Sequence, residues 1–417
     1  MNRSHSKILL ATILGNTLEY YEFSILVVFA IQIGQAFFPD QSQFSQVLST
    51  LGLFTAGFLS RPFGSLIFGH IGDKFGRKRA LIITIAGMSL TTLAIGFMPS
   101  HTHIGILAPI TLLILRLLQG VFIGGEGAGA AIFILEHELR FKRDVIGGIL
   151  VSSNIAGIVI ASLIGLLINK LIGLDSESWR FAFIIGGIGG LVISYLRTTI
   201  PETLKYNEIK PEEKIRVPAF KLFSKHWEQV LVVIAFGGFS AGVSYIVKGY
   251  IIIHFQQFMG FSADKAFIYL LFTSVLFTAF PPFLGTLSNR YTYRKFIFIT
   301  TIVIILLFIP IFLLISTHHD AYIYIGLAVL AILAAAINTP MFLYFSDMFP
   351  TNLRYSGVAI SFNLGITLVG GCTPIVSTAL TNYTHLKFAP AFYIIALAIL
   401  YLTLDILLHK RISRQSF

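Results

Sequence analysis

The sequence predicts an all-α membrane protein with twelve transmembrane helices in two six-helix bundles, and three observations support this. The 417 residues are 55% hydrophobic and 12% charged, with a mean hydropathy of +0.82, which is too apolar for a water-soluble domain. A hydrocarbon core about 30 Å thick requires roughly 20 apolar residues per helix, so a chain of this length holds about a dozen spans. Related charged turns follow the second and the eighth apolar segments, which indicates an internal duplication.

The apolar segments place the spans in order along the chain. The predicted ranges are 8–37, 46–71, 79–99, 104–135, 145–171, 179–200, 228–258, 264–288, 295–315, 321–346, 354–381 and 387–409. The longest polar interval separates the first six spans from the last six. We therefore predict an N-terminal bundle at 1–200, a linker at 201–227 and a C-terminal bundle at 228–417.

The formal net charge of +11 follows the loops rather than one face of a soluble domain. Most Lys and Arg residues fall in alternate loops, including the cluster at 74–79, the linker and Arg197. Only Arg180, Lys265 and Lys387 fall on the other side. Because Lys and Arg are retained in the cytoplasm, this bias places both termini and the linker there, in a multi-pass protein of a cell inner membrane. The basic composition thus indicates topology in a lipid bilayer, and it does not indicate nucleic-acid binding.

The most distinctive segment is the turn Gly69-His70-Ile71-Gly72-Asp73-Lys74-Phe75-Gly76-Arg77-Lys78-Arg79 between the second and third spans. The later copy is degraded, with Asn289 at the place of Asp73 and Tyr293 at the place of Arg77. The basic residues alone would fix topology. Topology does not require Gly69, Gly72 and Gly76, which permit close helix approach and a tight turn. The segment therefore predicts a tight turn with close contact between the two helices.

Ionisable side chains inside the spans are the candidate site residues, because each costs about 3 kcal/mol or more in hydrocarbon. Glu19 and Glu22 lie three residues apart in the first span, on neighbouring faces of a helix. A buried carboxyl beside a second carboxyl favours the protonated form, so one of the two is predicted to carry the proton. Structural polar contacts are the alternative. Tyr20 and Asn16 either bond to the ligand or anchor helices.

Arg116 in the fourth span and Glu19 are both predicted near mid-membrane, from a helical rise of about 1.5 Å per residue. We predict either an ion pair between them or a substrate carboxylate bound at Arg116. Glu126, nearer the cytoplasm, either carries protons or braces its helix. Lys248 in the seventh span either binds an anionic substrate or extends to the outer interface. Further polar residues either line the pathway or bond helix to helix: Gln119 and Tyr245.

The sequence has no recognisable motif for catalysis or for a cofactor. It lacks a Gly-rich phosphate loop of the Walker type, and its His and Cys residues lack metal-ligand spacing. Cys372 is the single cysteine, so an intramolecular disulfide is excluded. We therefore predict no enzyme activity, no catalytic residue, no metal and no cofactor.

The turn at 69–79 and the duplicated twelve-span layout resemble the major facilitator superfamily. Further segments resemble its metabolite:proton symporter branch: Gly15 to Phe23, Gln119-Gly120 with Gly124-Gly125-Glu126, Pro201-Glu202-Thr203, and Met348 to Gly357. Nearly the whole chain is most similar to the proline/betaine transporters of that branch. This resemblance implies a proton-coupled symporter that imports a small polar organic solute by alternating access and works as a monomer, with proline or betaine as first candidates.

The resemblance also implies that the turn at 69–79, with Gly69, Gly72 and Gly76, is a gate controlled mainly by the first half of the chain. Asp73 and Arg77 are expected to hold the two bundles together on the cytoplasmic side, with Arg77 or Arg79 contacting Glu136.

The chain departs from the family pattern at Lys248, where the proline/betaine transporters carry an apolar residue. Together with Arg116, this lysine favours an organic-acid proton symporter as the alternative function. An exporter and a sensor without transport are the remaining alternatives.

Overall fold

The computed structural model describes residues 3–136, 143–173, 177–202, 218–288, 292–349 and 354–415. Within these ranges, eleven helices are long and apolar enough to cross a membrane. A pair of helices bent by 62°, Leu9–Val28 and Ala30–Phe37, brings the number to twelve. The prediction of an all-α protein with twelve spans is confirmed.

We number the spans 1 to 12 in chain order. Spans 1 to 6, the N-terminal half, are Arg3–Val28 with Ala30–Phe37, Gln43–Leu59 with Arg61–Phe75, Arg77–Phe97, Leu107–Glu136, Arg143–Ile172, and Trp179–Thr198. Spans 7 to 12, the C-terminal half, are Trp227–Tyr245 continuing to Phe258, Ala263–Ala279 with Pro281–Ser288, Tyr293–Ile315, Asp320–Asn338 with Met341–Met348, Arg354–Gly365 continuing to Thr384, and Ala389–Gln415. The short helices His101–Ile104 and Pro218–Lys225 lie between spans.

Proline accounts for four of the interruptions within spans. In each of these spans, a proline lies at or next to the start of the helix that follows the break. The prolines are Pro62 in span 2, Pro281 in span 8, Pro340 in span 10 and Pro374 in span 11. Proline lacks a backbone N–H and clashes with the preceding turn, so a continuous helix is interrupted there. Spans 2 and 8, which precede the two related charged turns, are interrupted at corresponding places, in agreement with an internal duplication.

A single glycine connects spans 2 and 3. The first helix ends at Phe75, the next begins at Arg77, and Gly76 between them has φ +109°. Residues with a side chain rarely adopt this backbone conformation, whereas glycine adopts it without strain. The structure therefore has the tight turn that the glycine spacing predicted.

The two halves touch along spans 2 and 11. The Thr55 hydroxyl donates a hydrogen bond to the Gly371 carbonyl at 2.7 Å, and the Thr367 hydroxyl donates to the Phe58 carbonyl at 2.9 Å. Nearer the Gly76 end of span 2, the Asn363 amide donates to Ser65 Oγ at 2.8 Å. The seam between these spans is thus bonded at several levels along the helices.

A second seam joins spans 5 and 8. The Ser152 hydroxyl donates to the Thr278 carbonyl at 2.7 Å, and the Asn169 amide donates to Asp264 Oδ1 at 2.6 Å. These bonds also lie at two levels along the helices. A cavity between the halves, bordered by Tyr20 from span 1 and Lys248 from span 7, has a volume of about 20 Å³. This is room for about one water molecule.

Candidate functional site

Nine side chains from spans 1, 2, 4 and 7 form what we call the central chamber. Its members are Glu19, Tyr20, Phe23, Phe54, Phe58, Arg61, Arg116, Tyr245 and Lys248. The charged members, Glu19, Arg61, Arg116 and Lys248, are 6% exposed or less. Spans 2 and 4 bring their arginines close together because glycines lie at their crossing, where a side chain at Gly120 would overlap the carbonyl of Gly57.

Both arginines of the central chamber lie on aromatic rings. The Arg61 guanidinium carbon is 4.0 Å from the ring centroid of Phe58 and 4.5 Å from that of Phe23. The Arg116 guanidinium carbon is 4.5 Å from the same Phe23 ring and 5.9 Å from that of Phe54. A guanidinium is weakly hydrated and is attracted to the ring face, so these rings offset part of the cost of burying two like charges.

Several buried polar atoms of the central chamber have no hydrogen-bond partner. Arg116 is fully buried, and its Nη1 donates to Gln119 Oε1 at 2.7 Å, whereas its Nε and Nη2 are unpartnered. Arg61 Nε and Glu19 Oε2 are unpartnered as well. Because each unmet buried hydrogen bond costs about 1–3 kcal/mol, these atoms indicate a place for a polar ligand.

The predicted Glu19–Arg116 ion pair is not formed in the part of the chain that the structure describes. Arg116 instead bonds to Gln119 one turn along its own helix and lies flat on Phe23. Glu19 lies close enough to Arg61, Lys248 and Arg197 for direct electrostatic interaction. Of the two arrangements that the sequence left open, a substrate carboxylate bound at Arg116 is the one compatible with this geometry.

Glu22 lies in a separate polar network inside the N-terminal half. It is 1% exposed and accepts hydrogen bonds from the hydroxyls of Thr92, at 2.6 Å, and Ser89, at 3.3 Å. The Gln119 amide donates to the Thr92 hydroxyl at 2.7 Å. A hydrogen-bonded chain thus runs from Glu22 through Thr92 and Gln119 to Arg116 and connects this carboxyl to the central chamber.

Glu126 braces its helix. Its carboxylate lies 2.5 Å from Arg197 Nη2 of span 6, and both side chains are 2% exposed. The Thr84 hydroxyl of span 3 donates to the same carboxylate at 2.6 Å, and Arg197 Nη1 donates to the Leu81 carbonyl at 3.0 Å. Of the two roles left open for Glu126, this geometry favours the brace. The sequence placed Arg197 among the residues of the cytoplasmic loops. In the structure it is instead buried as the partner of Glu126.

Lys248 points into the bundle and does not extend to the outer interface. Its Nζ is 4.4 Å from the ring centroid of Tyr20 and 5.5 Å from that of Tyr245, and both tyrosines border the cavity. The Tyr245 ring in turn contacts Phe54 and Phe58 at 5.9 and 5.3 Å. Lys248 belongs to the π-helical turn Ile246–Tyr250.

Asn16 lies in the contact between spans 1 and 5. Its amide donates to Ser153 Oγ at 2.7 Å and to the Leu150 carbonyl at 3.2 Å, and it also contacts the Asn154 side chain. The geometry favours the helix-anchoring alternative for this residue.

The described part of the predicted gate contains a contact that the sequence did not indicate. The backbone N–H of Lys78 donates to the Glu202 carboxylate at 3.1 and 3.2 Å, at the start of span 3. Helix N-termini favour such negative charges. Arg77 is buried and Arg79 is exposed.

The remaining gating residues, Gly69, Gly72, Asp73 and Glu136, lie outside the residues whose packing the structure describes. Their predicted contacts therefore stay predictions.

Sequence reasoning missed the aromatic part of the central chamber, although a signal for it exists. Phe54, Phe58 and Arg61 are spaced at i, i+4 and i+7, so they share one face of a helix. The interruption at Ser60 leaves this face intact, because Arg61 lies over the Phe58 ring.

The chain is similar to known membrane transporters over most of its length. A family model described as Major Facilitator Superfamily matches residues 12–373. The proline/betaine transporter of Escherichia coli strain K12 is 32% identical, over 98% of this chain and 84% of that protein. A glycine betaine/proline/ectoine/pipecolic acid transporter of Dickeya dadantii is also 32% identical, over 94% of this chain and 81% of that protein.

Solved structures show the same fold at low sequence identity. A D-xylose-proton symporter superposes with a TM-score of 0.77 at 17% identity, covering 95% of this chain and 97% of that one. The human organic anion transporter MFSD10 superposes with a TM-score of 0.70 at 14% identity, covering 96% and 99%.

Proposed function

Since the chain belongs to the Major Facilitator Superfamily, we propose that it is a secondary transporter that imports a small polar organic solute together with protons by alternating access. The observation that carries the proposal is the central chamber, where unpartnered donors of Arg61 and Arg116 lie beside the buried carboxyl of Glu19. Such groups are costly inside a membrane protein unless a ligand or a proton meets them. The relatives named above are transporters, so an enzyme is disfavoured.

Alternating access is supported by the two seams between the halves. Spans 2 and 11 and spans 5 and 8 are bonded at two levels each, and the cavity of about 20 Å³ is too small for an amino acid. A solute therefore needs the halves to separate at one end of these seams before it can occupy this cavity. We propose that the moving units are bundles at 1–200 and 228–417, joined by the linker at 201–227.

The solute carries a carboxylate in this proposal. Two guanidinium groups with unpartnered N–H donors match a carboxylate, which accepts several charge-assisted hydrogen bonds. Proline and glycine betaine, which appear in the names of the relatives, are zwitterions with one such group. An organic acid is the second candidate, because Arg61, Arg116 and Lys248 outnumber Glu19 among the described charged groups of the central chamber.

Proton coupling follows from competition for the same cations. An ionised Glu19 is stabilised by Arg61 and Lys248, which lie close to it. When a substrate carboxylate approaches these cations, it adds a second negative charge and favours protonation of Glu19. Solute and proton would thus bind together and leave together, which is the requirement for symport.

The placement in the cell belongs to the same proposal. The chain has the helices of a multi-pass membrane protein, and its relatives are bacterial, which indicates an inner membrane. We propose that both termini are cytoplasmic, because Lys and Arg concentrate in the loops on that side. A monomer suffices, since the central chamber is built from one chain.

Uptake into proteoliposomes tests the proposal. With a panel of osmolytes and carboxylates, an inward proton gradient should drive accumulation by the wild type. The Glu19→Gln variant should keep solute exchange but lose gradient-driven accumulation, because a neutral amide cannot carry the proton. Asp40→Asn, in an exposed loop, is the matched control and should behave like the wild type. Accumulation by Glu19→Gln at the wild-type level, or indifference of the wild type to the gradient, would contradict the proposal.

A further inference from the structure

The side-chain nitrogen of Lys248 is held by aromatic rings rather than by acceptors. Within the described residues, no carboxylate or carbonyl bonds to it, and it lies over the rings of Tyr20 and Tyr245 at 4.4 and 5.5 Å. The residue is 6% exposed and borders the cavity between the halves. Its ammonium group is therefore a part of the wall that a bound solute would meet.

Faces of aromatic rings attract a cation electrostatically, and recognition of quaternary ammonium ligands relies on such rings. Tyr20 belongs to span 1 and Tyr245 to span 7, so the Lys248 nitrogen lies over one ring from each half of the protein. Without Lys248, this pair would suit the cationic end of a zwitterion.

The other end of the central chamber suits a carboxylate. The unpartnered nitrogens of Arg61 and Arg116 lie there, on the rings of Phe58 and Phe23. The Tyr245 ring contacts Phe58 at 5.3 Å and so links the two ends. When the halves separate enough to admit it, a short solute can contact the arginines with its carboxylate and the Tyr20–Tyr245 pair with its opposite end.

We propose that Lys248 is a specificity-determining residue of this site, because its nitrogen occupies the place on Tyr20 and Tyr245 that the ammonium group of a zwitterionic solute would take. The chain then favours small carboxylates that lack a cation of their own. The charge balance of the central chamber supports this. Its described charged members are three cations and one carboxyl, and the nearby Glu126 and Arg197 compensate each other as an ion pair, so an anion offsets the excess charge whereas a zwitterion does not. This inference rests on the proposed function and specifies its solute class.

Two solutes of nearly identical shape provide the test. Glycine betaine and 3,3-dimethylbutanoate both carry a carboxylate, one methylene and three methyl groups. They differ at the branching atom, which is a positively charged nitrogen in betaine and a neutral carbon in the acid. Binding of each to the purified protein in detergent can be measured by isothermal titration calorimetry, where permeation of the acid through a bilayer does not matter.

Replacing Lys248 with methionine should change the preference between the two. In Lys248→Met the rings become available, so the ratio of the Kd for betaine to the Kd for the acid should fall by about thirtyfold, the size of a desolvated cation–π contact. Lys248→Leu should give the same shift and serves if methionine disturbs the fold. Lys248→Arg retains a cation and should keep the wild-type ratio.

The matched control is Lys265, which also lies over aromatic rings but outside the central chamber. Its Nζ is 4.7 Å from the Phe261 ring and 5.8 Å from the Tyr269 ring, and it pairs with Asp320. Lys265→Met should leave the ratio unchanged.

The outcomes separate this inference from the proposed function. Binding that persists in Lys248→Met and Lys248→Leu with an unchanged ratio would overturn the role of Lys248 and leave the transporter assignment intact. If neither the wild type nor any variant binds either solute, and the wild type shows no carboxylate counterflow in proteoliposomes, the proposed solute class fails as well.

Discussion

The two halves of the protein differ in where they keep their buried charges. In the described part of the N-terminal half, the buried acidic and basic side chains are Glu19, Glu22, Arg61, Arg77, Arg116, Glu126 and Arg197. Those of the described C-terminal half are Glu228, Lys248, His254 and Asp405. A fold that arose by duplication has thus become chemically asymmetric, with most of the groups able to bind a carboxylate or a proton on one side.

The halves also differ in helix regularity. Spans 7 and 11 contain π-helical turns at Ile246–Tyr250, His254–Phe258 and Ile366–Gly370. Such turns shift the register of a helix and often accompany functional sites. The described helices of the N-terminal half have breaks but no π-helical turns. We infer that the N-terminal half supplies fixed charges, while the C-terminal half supplies the adaptable helices that close over the solute.

Each half has an ion pair that braces three helices, and the largest predicted effect comes from breaking them one at a time. Glu126 and Arg197 are both 2% exposed, whereas Arg294 is 35% exposed in its pair with Asp405 at 2.9 Å. Removing one partner of a buried pair leaves an uncompensated charge and costs about 3–5 kcal/mol. Glu126→Gln should therefore lower the unfolding temperature in detergent much more than Asp405→Asn.

The double variant Glu126→Gln/Arg197→Met tests whether the uncompensated charge is the cause. It removes both charges, so it should recover most of the stability lost in Glu126→Gln. Equal losses in the two single variants, or no recovery in the double variant, would contradict the difference between the halves.

Substitution of glycines at helix contacts should change stability by a smaller amount, and it also compares the N-terminal half with the C-terminal half. In span 4, a Cβ at Gly120 would overlap the Gly57 carbonyl, which cannot move aside. In span 7, a Cβ at Gly242 would lie 3.2 Å from the ends of the Ile394 and Leu397 side chains, which can shift. Gly120→Ala should cost about 1–3 kcal/mol through overpacking, and Gly242→Ala should cost little.

Thermal unfolding with solute binding measures both glycine variants. Gly127→Ala is the matched control in span 4, because nothing lies within 4 Å of a Cβ there. It should leave stability unchanged or slightly raised, since alanine favours a helix over glycine. A loss in Gly127→Ala as large as in Gly120→Ala would show that helix contact is not the cause.

The number and order of the spans were predictable from the sequence, because apolar length and loop charge are properties of consecutive residues. The pairing of buried groups was not. Whether Glu126 meets Arg197, or Glu22 meets Thr92, depends on which helix faces turn toward each other, and that is decided by packing at sites such as Gly120. The orientation of Lys248 was left open for the same reason, since the reach of its side chain allows two environments.

The smallest predicted effects concern the seam of spans 2 and 11, which belongs to both halves. Thr55 bonds Gly371 farther from the Gly76 end of span 2, and Asn363 bonds Ser65 nearer to that end. A hydrogen bond between membrane helices contributes about 0.6 kcal/mol, so losing one should shift the equilibrium between open states roughly threefold. The half-buried thiol of Cys372, next to Gly371, reports this shift through its rate of labelling by an impermeant reagent added from outside.

Labelling should become faster in Thr55→Val and slower in Asn363→Leu. Thr384→Val, which loses a bond within its own helix, should leave the rate unchanged. Shifts of the same sign in Thr55→Val and Asn363→Leu would mean that the two ends of the seam do not act against each other, and the rocking of one half on the other would then need a different basis.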